Sequence, residues 1–147
     1  MESFDAIIIG AGPAGLLLGR ELSKKYKILV LEKIGEKKKY SLAGGVKKKK
    51  ETDIQSLIRE TFEEIGLKLK KKELTYFLSR KNNNTKKKEI YKHYFITNTS
   101  IKNIEVLEPH KFKKVLWVSW YDALEYLDKD DRSAITLYFD QFRKHVN

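Results

Sequence analysis

Cysteine is absent from the 147 residues. Its absence excludes disulfides, zinc knuckles and thiol catalysis, and it suits a reducing compartment. No apolar run approaches the ~20 residues that a membrane-spanning helix needs. The first residues also lack the basic stretch of a secretory leader, with Glu2 and Asp5 where positive charge would stand. The expectation is a cytoplasmic protein with no membrane partner. Histidines at metal-ligand spacing are missing too, since His93, His110 and His145 are scattered. Arginine is scarce beside lysine, whereas a surface built to read phosphates or bases favours arginine.

What is present is a globular composition, 41% hydrophobic and 12% aromatic, in a length that suits one domain with a real core. The net charge of +11 is unevenly shared, because residues 1–33 contribute only +1 of it. Much of the excess comes in the runs Lys37–Lys39, Lys47–Lys50, Lys70–Lys72 and Lys86–Lys88. Such runs attract polyanions and phosphorylated ligands. RNA is therefore a conceivable partner, although solvated loops are the plainer reading.

Hydrophobic periodicity predicts alternating strands and helices, hence the α/β or α+β class. Strands are expected at Ala6–Ile9, Lys27–Leu31, Tyr40–Leu42, Leu74–Ser79, Ile90–Asn98 and Val115–Val118. Helices are expected from Pro13 to Lys25, over Asp53–Ile65, from Ser119 (capped through Asp122) to Leu127, and at the C-terminus. The last carries a stripe of Ile135, Tyr138, Phe139, Phe142 and Val146 behind a cap at Asp130 and Asp131. Gly66 should terminate the Asp53–Ile65 helix.

That helix carries the chemistry. Glu60, Glu63 and Glu64 stand at i, i+3 and i+4, a spacing that clusters carboxylates. Their face is expected opposite the stripe of Ile54, Leu57, Ile58, Thr61 and Ile65. Three like charges destabilise a helix unless a hard divalent cation takes their oxygens. Gly44-Gly45 upstream permits a tight path that brings a carbonyl towards the same ion. Arg59 is placed to brace Glu51 or Glu63 by a bidentate contact.

Gly45, five residues, Glu51, seven residues, then Arg59-Glu60-Thr61-Phe62-Glu63-Glu64-Ile65-Gly66-Leu67 resembles the Nudix box over residues 45–67. Every charged and glycine position matches; Thr61 departs, standing where the family has a bulky aliphatic residue. Upstream, Ile28–Lys33 followed by Tyr40–Gly45 is similar to the family's strand–turn–strand approach, with Ala43 in place of a usual proline and Tyr40 of a usual tryptophan. Downstream, Glu108–Lys111 with Trp117–Trp120 is similar to MutT-like members, so the resemblance spans about residues 27–147. It implies an α/β/α sandwich around a mixed sheet and hydrolysis of a phosphoanhydride in a nucleoside diphosphate derivative, a nucleoside triphosphate being favoured. It also implies magnesium or manganese held by Glu60, Glu63, Glu64 and the Gly44 carbonyl, with Arg59 and Glu51 orienting the carboxylates. The general base is open among Glu64, Glu105 and Glu108.

Residues 4–33 carry a second pattern. Strand, Gly10-x-Gly12-x-x-Gly15, helix, strand and Glu32 resemble the dinucleotide-binding fingerprint of flavin and nicotinamide enzymes. The resemblance implies FAD or NAD(P) bound by Gly10, Gly12, Gly15 and Glu32. The same stretch also reads as a structural βαβ-like element, residues 1–33, on a Nudix domain of residues 34–147. An oxidoreductase fragment and a basic RNA-binding or cap-hydrolysing protein are the alternative functions.

Overall fold

In the computed structural model, residues 2–11, 26–83, 89–97 and 103–143 are described, with side chains over 26–81, 90–97 and 103–141. The helix expected from Pro13 to Lys25 lies outside them, as do Gly12 and Gly15. Chain order is β1 (Glu2–Ala11), β2 (Lys27–Lys33), β3 (Tyr40–Ser41), β4 (Ala43–Val46), α1 (Asp53–Ile65), β5 (Thr75–Asn83), β6 (Glu89–Thr97), β7 (Phe112–Ser119), α2 (Trp120–Ala123) and α3 (Lys129–Arg143). Single 3-10 turns occupy Lys71–Glu73 and Leu124–Tyr126.

β1 organises the sheet. It runs parallel to β6 from Glu2↔Ile90 to Ile9↔Thr97, and antiparallel to β4 from Phe4↔Val46 to Ile7↔Ala43. β5 pairs antiparallel with β6 at the edge, and β7 and β3 flank β2. The mixed sheet implied by the box is thus present. The dinucleotide reading requires correction, because that fingerprint needs β1 and β2 parallel. Here they pair antiparallel, through Gly10↔Ile28 and Ala11↔Lys27. Glu32 consequently lies four residues along β2 from the partner of Gly10, roughly 13 Å away at strand rise. It is buried and pairs across to Tyr40 and Lys114.

β2 alternates between two cores because its sheet is covered on both faces. Ile28 and Val30 join Tyr94, Ile96, Trp120, Ala134, Ile135 and Phe139 beneath α3. Leu29 and Leu31 join Ala43, Leu57, Ile65 and Phe95 beneath α1. Trp120 stacks on Phe139 at 4.8 Å, so this indole is core. Burying side chains such as Leu57 or Ile135 completely is worth about 1.5–3 kcal/mol each.

The helix ends sharpen the expectations. α1 begins with a capping box at Thr52 and Gln55, a signal the sequence reading passed over, and ends at Gly66 in the left-handed conformation. No capping bond forms from Ser119 to the start of α2, and the segment becomes a 3-10 turn after Ala123. α3 is capped by Asp128, whose carboxylate accepts from Asp131 N at 2.9 Å. Asp131 itself is buried, 1% exposed, bonded to Tyr94 Oη at 2.7 Å and paired with Lys92 Nζ at 2.6 Å. Phe142 and Val146 fall outside the described side chains.

Candidate active site

α1 leans on β4 so that the glycine pair meets its last turn. Gly44, with φ 140°, donates its N–H to Glu64 Oε1 at 2.8 Å. Gly45 lies in close approach to α1, since a Cβ there would stand 2.5 Å from Glu60 Cδ and push that side chain aside. The Glu60 carboxylate therefore lies where a side chain at position 45 would otherwise stand.

The three glutamates do not share one solvated face, which corrects the sequence expectation. Glu64 is 5% exposed and belongs to the buried side of α1 with Leu57, Thr61 and Ile65. The helical angle explains it, because Glu64 follows Leu57 by seven residues and so lies nearly above it. The buried side of α1 is wider than its apolar stripe, taking in Ser56 and Glu64. Glu63 points outward, its side chain 46% exposed, and Glu60 lies between the two.

Arg59 collects most of the remaining charge. Its Nε and Nη2 bond both oxygens of Glu51 at 2.8 and 2.9 Å, while Nη1 reaches Glu60 at 2.9 Å and Glu63 at 3.2 Å. Nη2 also donates to the Val46 carbonyl at 3.2 Å. The bidentate contact expected of Arg59 is made to Glu51. This guanidinium, helped by the Lys48 N–H, holds Glu51 down to about 2, and the carboxylates in turn raise Arg59. Because Arg59 draws Glu60 and Glu63 to itself, no group of three or more acidic or histidine side chains converges as a ready metal cage among the described residues.

Glu64 has the opposite electrostatics. Burial pushes its carboxyl up to about 8, opposed by the Gly44 N–H and reinforced by the charges of Glu60 and Glu108. Glu108 arrives on the segment after β6. Leu107 N donates to the Glu64 carbonyl at 2.9 Å and Glu105 N to that of Ile65 at 3.3 Å. Glu108 Oε2 pairs with Lys111 at 3.4 Å, whereas its Oε1 is buried with no hydrogen-bond partner. Glu105, the other candidate outside the box, is exposed. No spacing rule brings Glu108 to Glu64 across 44 positions; only the fold does.

Thr61 is fully buried, its hydroxyl without a partner, among residues that would suit an aliphatic side chain. Lys47 pairs with Asp53 at 3.5 Å, and Lys48–Lys50 are exposed.

The NUDIX domain model matches residues 11–138 of the chain, which belongs to the Nudix family. The same fold recurs in solved structures. An Ap4A hydrolase of C. elegans in a binary complex is 18% identical, covering 94% of this chain and 95% of that one, with a TM-score of 0.65. The MutT protein of Methanosarcina mazei Go1 is 17% identical over 97% and 94%, with a TM-score of 0.67. A MutT NUDIX hydrolase from Burkholderia pseudomallei is 19% identical over 89% and 95%, at 0.64. No curated protein matches the chain. The protein is accordingly a pyrophosphohydrolase of the Nudix type. None of its described helices is long and apolar enough to cross a membrane.

Proposed function

We propose that this hydrolase depends on a divalent cation and opens a phosphoanhydride bond of a nucleoside triphosphate. The observation that carries the reading is the corner at Gly44-Gly45, where buried Glu64 accepts the Gly44 N–H and feels the negative charges of Glu60 and Glu108. One of the three is buried, and Glu108 keeps an oxygen buried without a partner. Carboxylates held in that state have a deficit of positive charge, and an all-oxygen donor set suits magnesium or manganese. Glu60, Glu63 and Glu64 would hold the ion, helped by the Gly44 carbonyl. When bound, the ion neutralises phosphate charge and eases ionisation of the attacking water.

The chain's own residues supply the rest. Arg59, fixed on Glu51 by two bonds, is a positioning residue that would keep Glu51 while Glu60 and Glu63 turned to a bound cation. Glu108, coupled to Glu64 and half-buried, is better placed than exposed Glu105 to take the proton of the water. We read residues 1–33 as built into the same domain, because β1 supplies the central strand between β4 and β6. The flavin- or nicotinamide-binding alternative loses support with the antiparallel β1–β2 pair.

The test is a nucleotide panel incubated with magnesium: nucleoside triphosphates, oxidised triphosphates, dinucleoside polyphosphates, nucleotide sugars and NADH. Release of phosphate or pyrophosphate from a triphosphate, lost in Glu63→Gln, is expected. A folded protein inactive on the whole panel would overturn the reading.

A further inference from the structure

The face of the sheet that α1 covers continues past the helix. Along β6 side chains alternate, Tyr94 and Ile96 joining the core beneath α3 and Phe95 the core beneath α1. His93, two residues before Phe95, therefore projects on the α1 side. Beside it on β5 stands Ser79, its partner in register, and Tyr76 pairs across to Phe95, their rings edge to face at 5.7 Å. The three polar ends join. Tyr76 Oη lies 2.6 Å from Ser79 Oγ, and Ser79 Oγ lies 2.6 Å from His93 Nδ1. Tyr76 and Ser79 are exposed and His93 is half-buried. Among the described residues the His93 ring makes no other hydrogen bond, so Nε2 is open to a ligand.

These three residues stand in line with the glycine corner. Gly45 pairs with Asp5, Asp5 with His93 and His93 with Ser79, one row across four strands. A Cβ on Gly45 would meet Glu60 of α1, so the row faces the helix side at both ends. His93 is thus two strand spacings from Gly45, roughly 10 Å. A nucleotide whose phosphates lie at the corner carries its base about that far off, beyond the ribose. The hydroxyl chain decides what the base meets there. A phenol is a better donor than an aliphatic hydroxyl, and an imidazole nitrogen accepts more strongly than a phenol oxygen. Tyr76 therefore donates to Ser79 and Ser79 to His93 Nδ1, which leaves the neutral ring its proton on Nε2.

We propose that His93 reads the base of the substrate through an Nε2–H donor, its tautomer set by Ser79 and Tyr76. The residue thereby selects bases with an oxo group over those with an amino group at the edge that meets it. The inference rests on the nucleoside triphosphate reading above and names a specificity-determining residue for that reaction. An oxo oxygen accepts from Nε2–H. An amino group in its place turns hydrogen towards hydrogen and leaves both donors without a partner. No bond is made or broken at His93, so the discrimination resides in KM, and kcat is left to the corner.

The experiment compares inosine with adenosine triphosphate, and uridine with cytidine triphosphate, using magnesium and the full chain. Each pair differs chiefly by an oxo group against an amino group. KM for the oxo member is expected to be about tenfold lower, with kcat similar. His93→Ala and Ser79→Ala should both bring the ratio close to one by raising KM for the oxo member. Ser79→Ala keeps the ring and removes what sets its tautomer, whereas Tyr76→Phe keeps the aromatic contact and should weaken the ratio less. NMR of the imidazole nitrogens reads the tautomer directly. Nε2 should carry the proton in the parent, and both tautomers should appear in Ser79→Ala. The Nε2 signal should also shift when inosine triphosphate is added with calcium in place of magnesium. Triphosphates hydrolysed with no oxo preference overturn this inference and leave the nucleotide reading standing. A preference that persists in His93→Ala overturns it too, as does an Nε2 signal that inosine triphosphate does not move. A folded protein that neither binds nor hydrolyses any of the four overturns the nucleotide reading and this inference with it.

Discussion

Glu64→Gln isolates what it costs to hold a carboxylate in the glycine corner. Burial raises the Glu64 carboxyl from 4.5 to about 8. Between those values the folded protein keeps a proton that the unfolded chain has released, so stability falls as pH rises through the window and the loss is complete only above about pH 8. Single-site linkage for that shift gives about 1 kcal/mol lost at pH 5, about 3 at pH 6.5 and about 4 at pH 8. Glutamine has the shape of the protonated acid and still offers an oxygen to the Gly44 N–H, but it does not titrate. In EDTA the variant should therefore match the parent within about 1 kcal/mol at pH 5 and exceed it by about 3–5 at pH 8.

Urea unfolding at the two pH values measures this directly, with the slope of each transition checking that the unfolded states are comparable. Magnesium reverses the order, since a cation bound by the folded, ionised parent stabilises it by mass action and the variant forfeits that gain. A parent–variant difference that is the same at pH 5 and pH 8 in EDTA would refute the reasoning. It would mean that Glu64 is solvated in the folded protein, as an acid on an outer helix face would be.

Four further outcomes are expected. Gly45→Ala puts a methyl group 2.5 Å from Glu60 Cδ. The flexible Glu60 arm moves away, so the fold persists while magnesium-dependent activity drops about 10- to 100-fold, read as a rise in the magnesium concentration needed for half-maximal rate. Arg59→Ala frees Glu51 to climb from about 2 towards the ordinary carboxylate range, which a carboxyl-carbon NMR titration follows, and slows the reaction even at saturating nucleotide. Thr61→Val removes a buried hydroxyl without a partner and should stabilise by about 1 kcal/mol in thermal unfolding. Lys92→Met strands the buried Asp131 charge and should destabilise by about 3 kcal/mol near neutral pH, less as acid protonates Asp131, measured by urea unfolding at both pH values.

Local signals were readable wherever a short stretch decides its own conformation. α1 spans Asp53–Ile65 as its periodicity predicts, and Gly66 terminates it, because the apolar spacing and the left-handed glycine act within one turn. β1 and β2 were recognised as strands, yet their relative direction was not, and only that direction separates a dinucleotide fold from this sheet. The Gly10-x-Gly12-x-x-Gly15 pattern specifies a glycine-rich passage out of a strand; what decides the topology is the parallel register of β1 on β6, eighty-eight positions away from Glu2 to Ile90. Long-range pairing has no local residue signature to read.

The candidate site divides along the same line. Glu51, Arg59, Glu60, Glu63 and Glu64 sit on one helix and its approach, so spacing alone groups them as candidates, and the Arg59–Glu51 fork forms as expected. Their division of labour came from the sheet instead. β4 packs against one side of α1, and that side buries Glu64 while Glu63 stays in water. Identical residues four or fewer positions apart thus acquire different roles. Arg59 neutralises the exposed end of the cluster, whereas at the buried end Lys111 stands beside two further acids. A divalent ion held at the corner, as proposed, would be opposed less by solvation of Glu64, which is already lost, than by the guanidinium that holds Glu60 and Glu63. Metal affinity should therefore be set by how readily Arg59 falls back on Glu51 alone, which makes Glu51, remote from the corner, a determinant of that affinity through Arg59.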